Sequence, residues 1–387
     1  LQKDNSYKKK LNFFINKPII KRCTKCILPH TYPMIKFDKN GVCNFCNNYK
    51  KQDFLGENKL EEILAQVRSN DGRVDCVVGL SGGRDSSYGL HMLKKVFNMN
   101  PIAYTYDWGL ISDNCRRNIS RICGKLNIEH ILRASDTQRQ RNFVKANISG
   151  WMSRPVLGMI PIFMAPDKKF LYHFNRVINE NSVKLGVFCT GHQLEQREFL
   201  IGFTGINQKL ENNQNMYKYE LINKLKLFFW YSKEFLLNYK YINKFMFDNL
   251  LSFYYSFFFK TKDIYLYNYL KFDERKVEEL LVKEYNYEFD SKFGTSQWRQ
   301  GDLHVAFMNY VFLEVAGFTE KDNYRSNQIR EGYLDRQQAL EKIDADNYVN
   351  PLLIKEFCDV ININFYDVLK KIQKIDKRYN YELVKTI

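Results

Sequence analysis

The chain has 387 residues, 45% hydrophobic and 16% aromatic, enough for two or three domains and a substantial core. Lys and Arg outnumber Asp and Glu by 59 to 43, a formal net charge of +16, which permits contact with nucleic acid, anionic lipid or phosphorylated substrates without choosing among them. No stretch reaches the roughly 18 uninterrupted apolar residues of a transmembrane helix, the front of the chain lacks a long apolar signal region, and an odd number of cysteines, nine, argues against a disulfide framework; a cytoplasmic protein is expected.

In chain order, residues 1–22 read as a basic arm. Cys23-x2-Cys26 and Cys43-x2-Cys46 follow at about 23–50, separated by Ile27 to Val42. Each Cys-x2-Cys is a tight turn that aims two sulfurs inward, and two such turns complete a tetrahedron around one ion. Zinc in a closed, structural site is expected, with iron as the other metal such a ligand set takes. His30 reads as a loop residue. An amphipathic helix is predicted over Lys59 to Val67.

From residue 72 to 205 apolar runs alternate with helical patterns. Cys76 to Leu80 reads as a buried parallel strand that stops at Ser81-Gly82-Gly83 and continues into a helix from Ser86 to Phe97. Further strands are predicted at Pro101 to Tyr106, His130 to Arg133 and Leu185 to Thr190, with a helix at Asp113 to Leu126. The alternation implies an α/β fold, a doubly wound parallel sheet that binds ligands at the carboxyl ends of its strands. Three strand ends carry polar chemistry. The turn Ser81-Gly82-Gly83-Arg84-Asp85-Ser86-Ser87 aims unpaired N–H groups and the positive end of a helix at one point, which favours phosphate. Its glycines allow close backbone approach, and its serines donate hydroxyl hydrogen bonds. Asp107 ends the second strand, where a carboxylate can accept from a ribose, an adenine amine or a metal-bound water. Gly191, His192 and Glu195 follow the last strand, as ligands for Mg2+ or as the lining of a nucleotide pocket. For Asp107 and Glu195 the competing expectation is a helix cap or first-turn acid.

Residues 217–272 form an aromatic-rich helical insertion, with Phe228-Phe229-Trp230-Tyr231 and Phe253-Tyr254-Tyr255 interleaved with lysines. Packing of its aromatic face on the core is the leading expectation, ahead of a membrane surface or base stacking. Helices are predicted at Glu274 to Tyr285 and Asp302 to Val315, and the C-terminal region 273–387 reads as helical throughout.

The Ser-Gly-Gly-x-Asp-Ser turn resembles the phosphate loop of the PP-loop ATP pyrophosphatases. Together with the four-cysteine knuckle, Arg154-Pro155-Val156-Leu157-Gly158-Met159, Gly202-Phe203-Thr204-Gly205, Gly294-Thr295-Ser296-Gln297-Trp298-Arg299 and Ile329-Arg330-Glu331-Gly332, it resembles the N-acetyl sugar amidotransferases of that superfamily. The resemblance implies ATP, Mg2+ and a nucleotide-linked N-acetylated sugar as ligands, in surface-glycan (lipopolysaccharide) biosynthesis. Transfer of AMP to the acetamido oxygen makes it a leaving group, and ammonia then displaces AMP. In that scheme Ser81, Gly82, Gly83, Ser86 and Ser87 grip the pyrophosphate, Arg84 neutralises it, Asp85 helps hold Mg2+, and Asp107, Gly191, His192 and Glu195 line the site. The sequence opens on Leu1 and not on a cysteine nucleophile, and no Cys/His pair stands out, so a separate glutaminase is implied as the source of ammonia. Gly191-His192-Gln193 departs from the Gly-Glu-Asn of that family and looks more like PP-loop enzymes that modify tRNA. The alternative is therefore thiolation of a tRNA base after the same adenylation. That chemistry calls for a reactive thiolate, with Cys189 first, then Cys115 and Cys123; a buried strand cysteine is the plainer reading of Cys189. A noncatalytic nucleotide-binding scaffold is a third reading.

Overall fold

Five parallel strands form one sheet in the order β3-β2-β1-β4-β5: β1 Cys76–Gly79, β2 Pro101–Asp107, β3 His130–Ala134, β4 Leu185–Phe188 and β5 Asp263–Tyr265. The computed structural model describes residues 20–195, 199–206, 219–259, 261, 263–290, 298–299 and 301–381. The basic arm, apart from 20–22, and the motif residues 294–297 lie outside them.

Side chains alternate across the sheet, as a period of two dictates. Cys76 and Val78 on β1 face one core with Leu90, Leu93, Ile119 and Ile122. Val77 faces the other, with Val144, Ile148, Phe174 and Val177. The first two crossovers, α1 (Arg84–His91) and α2 (Asp113–Leu126), therefore cover one face. The chain then changes sides, and α3 (Thr137–Trp151) and α4 (Lys169–Glu180) cover the other. This is the doubly wound architecture expected from the sequence. The strand order reverses between β1 and β4, where such sheets open a crevice beyond their carboxyl ends.

Between α3 and α4 lies a 3-10 segment, Leu157–Lys168. Pro161 and Pro166 remove the N–H groups an α-helix would need there. The aromatic stretch forms α5 (Leu221–Leu237) and α6 (Met246–Phe257), and the chain then returns to add β5 beside β4. This short strand was not anticipated. Its three residues are too few to show a period.

The remainder is helical: α7 (Glu274–Tyr285), α8 (His304–Ala316), α9 (Glu320–Glu331) and α10 (Arg336–Asp346), followed by Pro351–Val360 and Phe365–Gln373. Helix α9, Glu-Lys-Asp-Asn-Tyr-Arg-Ser-Asn-Gln-Ile-Arg-Glu, is strongly polar, yet every residue from Glu320 to Gln328 is buried. Buried polar groups cost free energy unless paired, and here they are paired on two sides. Toward the cysteine knuckle, the Tyr32 hydroxyl donates to Asn323 (3.0 Å), Ile27 N–H donates to Ser326 Oγ (3.3 Å) and Arg22 pairs with Asp322 (2.5 Å). Toward the sheet, Asn327 donates to the Leu194 carbonyl (3.1 Å), and Tyr324 donates to Glu274 (2.9 Å). Asp322 also closes the capping box with Thr319 at the helix start.

Asp322→Ala is expected to lower unfolding stability by about 3–5 kcal/mol, since it strands the Arg22 charge and removes the cap. Chemical denaturation would check this; a loss below 1 kcal/mol would show that the pairing is not needed.

Candidate active site

A cavity of about 320 Å3 opens at the carboxyl ends of the strands, where the switch in strand order requires it. Gly79 and Leu80 of β1, Thr105 and Tyr106 of β2, and Phe188 and Cys189 of β4 form its floor. Ser81, Gly83, Arg84, Asp85, Ser86 and Glu195 line one wall.

The loop is held in shape before any ligand arrives. Ser86 Oγ accepts from Ser81 N–H (3.1 Å), lies 3.0 Å from Ser81 Oγ, and donates to the Gly83 carbonyl (3.1 Å). Gly82 has φ +77°, and a Cβ there would collide with the Cys115 carbonyl. Only glycine fits. Helix α1 begins at Arg84 with Gly83 as its N-cap, two residues earlier than predicted, so its first-turn N–H groups, which the helix itself cannot use, end at the loop. Ser87 is fully buried behind the loop and does not line the cavity.

Arg84 is placed differently from its expected role. Its guanidinium is 2% exposed and bonds to Asp85 (2.9 Å), Glu278 (2.8 Å), Glu274 and the Tyr324 hydroxyl (2.6 Å). The rings of Phe272 and Tyr324 lie 5.3 and 5.6 Å from it. Arg84 thus ties α1 to α7 and α9, and its charge is matched by carboxylates. A second cation, Arg299, also lines the cavity, pairs with Glu320 (2.7 Å) and has a positive φ of 58°. A non-glycine residue held in that region stores strain that its surroundings must offset.

Asp85, His192 and Glu195 bring their ligand atoms within 4.8 Å of one another. His192 Nδ1 accepts from Leu194 N–H (3.2 Å), so its proton sits on Nε2, 3.3 Å from Asp85 Oδ2. The ring is 1% exposed and stacks on Phe272 at 4.2 Å. His192 therefore orients Asp85 from behind. Burial would raise the Asp85 carboxyl, but Arg84 and His192 more than offset this and hold it at about 2. Glu195 Oε2 accepts from Gly191 N–H (2.7 Å) and Thr190 Oγ1 (3.2 Å), which also explains Gly191: it turns the chain with φ +81°. Asp85 and Glu195, hard oxygen donors beside the phosphate loop, fit Mg2+. Asp107 is not brought to the cavity. Its carboxylate accepts from Gly109 N–H (2.8 Å) within its own turn and pairs with Arg116 (2.5 Å), so it is neither a ligand-facing group nor the helix cap or first-turn acid of the competing expectation; Ser112 caps the next helix.

Sequence reasoning missed Asp302, which read as a helix start. Antiparallel pairing with Ile111 sets it against the end of β2, and it lines the cavity with Asp167. The Trp108 indole donates to it (3.3 Å). Burial first, and Asp167 second, push its carboxyl up to about 7, against Arg299, the Trp108 N–H and Lys168. Arg299, Gly301 and Asp302 all line the cavity within four positions, and that spacing, just after Gly294 to Trp298, was the available signal. Cys115 and Cys189 reach the cavity as well, but burial pushes the Cys115 thiol up to about 12 and raises Cys189 further. Cys189 is packed against Gly89, as a buried strand cysteine. Cys123 lies in the core beneath α2, outside the cavity lining.

The cysteine knuckle stands apart from this cavity. Cys23, Cys26, Cys43 and Cys46 are buried with all four sulfurs within 4.8 Å, and Cys26 and Cys43 are 3.8 Å apart. Cys23 Sγ accepts N–H groups from Lys25, Cys26 and Cys43 at 3.2–3.4 Å, an arrangement that stabilises thiolate. Arg330 reaches Cys26 Sγ at 3.7 Å. The site is closed, and it suits one tetrahedral ion.

No protein-family model matches the chain. A 94-residue stretch is 29% identical to an uncharacterized protein of Methanocaldococcus jannaschii, covering 22% of this chain and 32% of that protein; the match thus spans about a third of the relative's length. Among solved structures, the U34-tRNA thiolase NcsA from Methanococcus maripaludis with its [4Fe-4S] cluster aligns over 84% of this chain and 90% of its own. That alignment has 17% identity and a TM-score of 0.30, too distant a superposition to carry any residue across.

Arg84→Ala is expected to cost about 3–5 kcal/mol of folding stability, because it leaves Glu274 and Asp85 as buried, unbalanced carboxylates. A protein as stable as the parent in denaturant titration would return Arg84 to the role of a pyrophosphate clamp.

Proposed function

We propose that the chain is an adenylating enzyme. It would bind ATP across the cavity, with the β- and γ-phosphates in the Ser81 to Ser86 loop, and transfer AMP to the oxygen of an amide-like carbonyl. The observation that carries this reading is the preshaped Ser-Gly-Gly-x-Asp-Ser loop at the sheet's switch point, in a cavity also lined by Asp85, Glu195 and Arg299. The acceptor oxygen attacks the α-phosphorus and pyrophosphate leaves. A nucleophile then attacks the activated carbon, AMP departs with the oxygen, and the nucleophile's proton passes to a base. Asp302 is our choice for that base, since it lines the same cavity as the loop, beside Trp108, and its carboxyl is pushed up to about 7. Loop N–H groups and Arg299 balance the charge that develops on pyrophosphate. Mg2+ held by Asp85 and Glu195 would add positive charge at the same place.

Two acceptors fit this chemistry. The acetamido group of an N-acetylated sugar, with ammonia from a partner glutaminase, follows from the sequence resemblance; nothing in the comparisons speaks for the sugar or the glutaminase. A tRNA base, with a sulfur nucleophile, is supported by the net charge of +16 and by Gly191-His192. The protonated state of Cys115 and Cys189 counsels against either as the sulfur carrier, so sulfide would come from outside the chain. For the knuckle we propose a single zinc ion. Four thiolates on one ion sit as close as these do, whereas a four-iron cluster binds each thiolate at a different corner and spreads them.

Pyrophosphate release from ATP is expected with one acceptor class and not the other: tRNA transcripts against nucleotide-linked N-acetylhexosamines. Release with neither would sink the reading. Ser81→Ala should slow that release by roughly 100-fold or more with the fold intact. Asp302→Asn should leave ATP–pyrophosphate exchange in place but slow product formation by roughly 100-fold, and the parent's rate of the second step should climb as pH rises through about 7. Metal analysis of anaerobically purified protein should give zinc; four irons with the visible absorption of a cluster would replace the single-ion assignment.

A further inference from the structure

The hairpin of α5 and α6 turns a second, outer face to solvent that the core does not use. Its inner side packs as expected: Trp230 covers Gly158, Tyr231 donates to the Gly158 carbonyl and Ser252 to that of Ala165. Both helices thus rest on the Leu157–Lys168 segment, side by side through Phe228 and Phe253 at 5.7 Å, so their outer stripes share one surface. On α5 the stripe is Ile222, Leu225, Phe229 and Leu236; on α6 it is Phe247, Leu250, Leu251 and Tyr254, all exposed at helical spacing. Phe229 is 67%, Leu236 78% and Phe247 75% exposed. Fourteen of the twenty-three large hydrophobic residues exposed among the described residues fall between 221 and 258, a concentration that marks an interaction surface.

Charge identifies the partner. Residues 221–258 contain two carboxylates, and both point inward: Glu234 pairs with Arg154, and Asp248 with Arg139 (2.8 Å) and Lys169 (3.6 Å). The outward charges are then all positive. Lys226, Lys233, Lys240 and Lys244 are exposed, and Lys224 lies over the Phe258 ring. We propose that this face docks on an anionic phospholipid surface, its apolar stripes entering the headgroup boundary and its lysines meeting phosphate. Among the described residues no helix is long and apolar enough to cross a membrane, so the hairpin would lie on the surface. Leu and Ile on the stripe gain nothing from stacking on bases, and the segment contains no arginine, which disfavours nucleic acid as the occupant. A second copy in two-fold contact would press lysines against lysines.

Flotation of the full chain with vesicles tests this. Binding is expected to vesicles of phosphatidylcholine mixed with phosphatidylglycerol, to weaken with added salt, and to be at least tenfold weaker to phosphatidylcholine alone. The triple variant Phe229→Ser, Leu236→Ser, Phe247→Ser replaces only exposed side chains. It should keep the parent's melting temperature and lose binding by roughly tenfold or more. Lys226→Glu with Lys233→Glu should do the same by a purely electrostatic route. The proposal is overturned if the parent does not float with the anionic vesicles, or if both variants float as well as the parent. It is equally overturned if light scattering shows a dimer that the triple variant abolishes, or if the face retains tRNA in preference to vesicles.

Discussion

The structure depends on the burial of one polar helix, Glu320–Glu331, between the cysteine knuckle and the elements around the Ser81–Ser86 loop. On one side it meets the cysteine knuckle through Asp322, Asn323, Ser326 and Arg330; on the other it meets the nucleotide loop and its supports through Tyr324, Asn327 and Gln328. An apolar helix in that place would be held by area alone and would tolerate sliding. A helix whose buried groups each require a specific partner has one register, since a shift by one residue leaves several donors and acceptors unpaired at about 1–3 kcal/mol each. The knuckle then has a mechanical reason to exist. It fixes the outer partners of that helix, so loss of a metal held there would loosen Tyr324 and the Arg84 cluster, and through Arg84 one wall of the cavity.

Arg84 shows how this constraint changes the chemistry. A basic residue inside a phosphate loop invites the role of an anion clamp, yet its charge is balanced by Asp85, Glu274 and Glu278 before any ligand binds. What it supplies is position. With Arg84 and His192 on either side, Asp85 stays ionised throughout the physiological range and is fixed in direction, which is what a cation ligand needs. Under the proposed function, the loop's own cation would be unavailable to the leaving group. The load would then fall on backbone N–H groups, with Arg299, itself paired with Glu320, arriving from a distant part of the chain.

Much of the sheet was legible because its signals are local. The strand at Cys76, the helices Asp113–Leu126 and Glu274–Tyr285, and the Ser-Gly-Gly turn each carry their pattern within a dozen residues. Other features were not, for physical reasons. β5 is three residues long and is a strand only because β4 offers it an edge. Glu320–Glu331 has the composition of a solvated helix, and its burial is decided by partners some 300 positions away, such as Arg22 and Ile27. Asp302 becomes a cavity carboxylate through one antiparallel bridge to Ile111, and no periodicity announces that. Asp107 sat at the right strand end, but whether such a carboxylate faces a ligand or its own turn depends on Arg116 and Gly109. In the aromatic stretch the sequence offered packing, membrane and bases as alternatives. The inward turn of Glu234 and Asp248 leaves the outer face to apolar side chains and lysines, a feature decided by tertiary pairing with Arg154 and Arg139 and invisible in the local pattern.

The outer hairpin and the cavity are also mechanically close. Both helices of the hairpin lie on Leu157–Lys168, and that same segment contributes Asp167 to the cavity wall and Met164 to the contact with Arg299. Its two prolines make it a 3-10 run, with poorer hydrogen bonds than an α-helix and so less resistance to displacement along its axis. A force on the hairpin therefore reaches the face that holds Asp167, whose charge helps set the proton affinity of Asp302. Because Coulomb interactions between partly buried charges change steeply over an ångström or two, a small shift of this segment would alter the acceptor side of the cavity. The Ser81–Ser86 side, anchored through Arg84 to α7 and α9, would stay where it is.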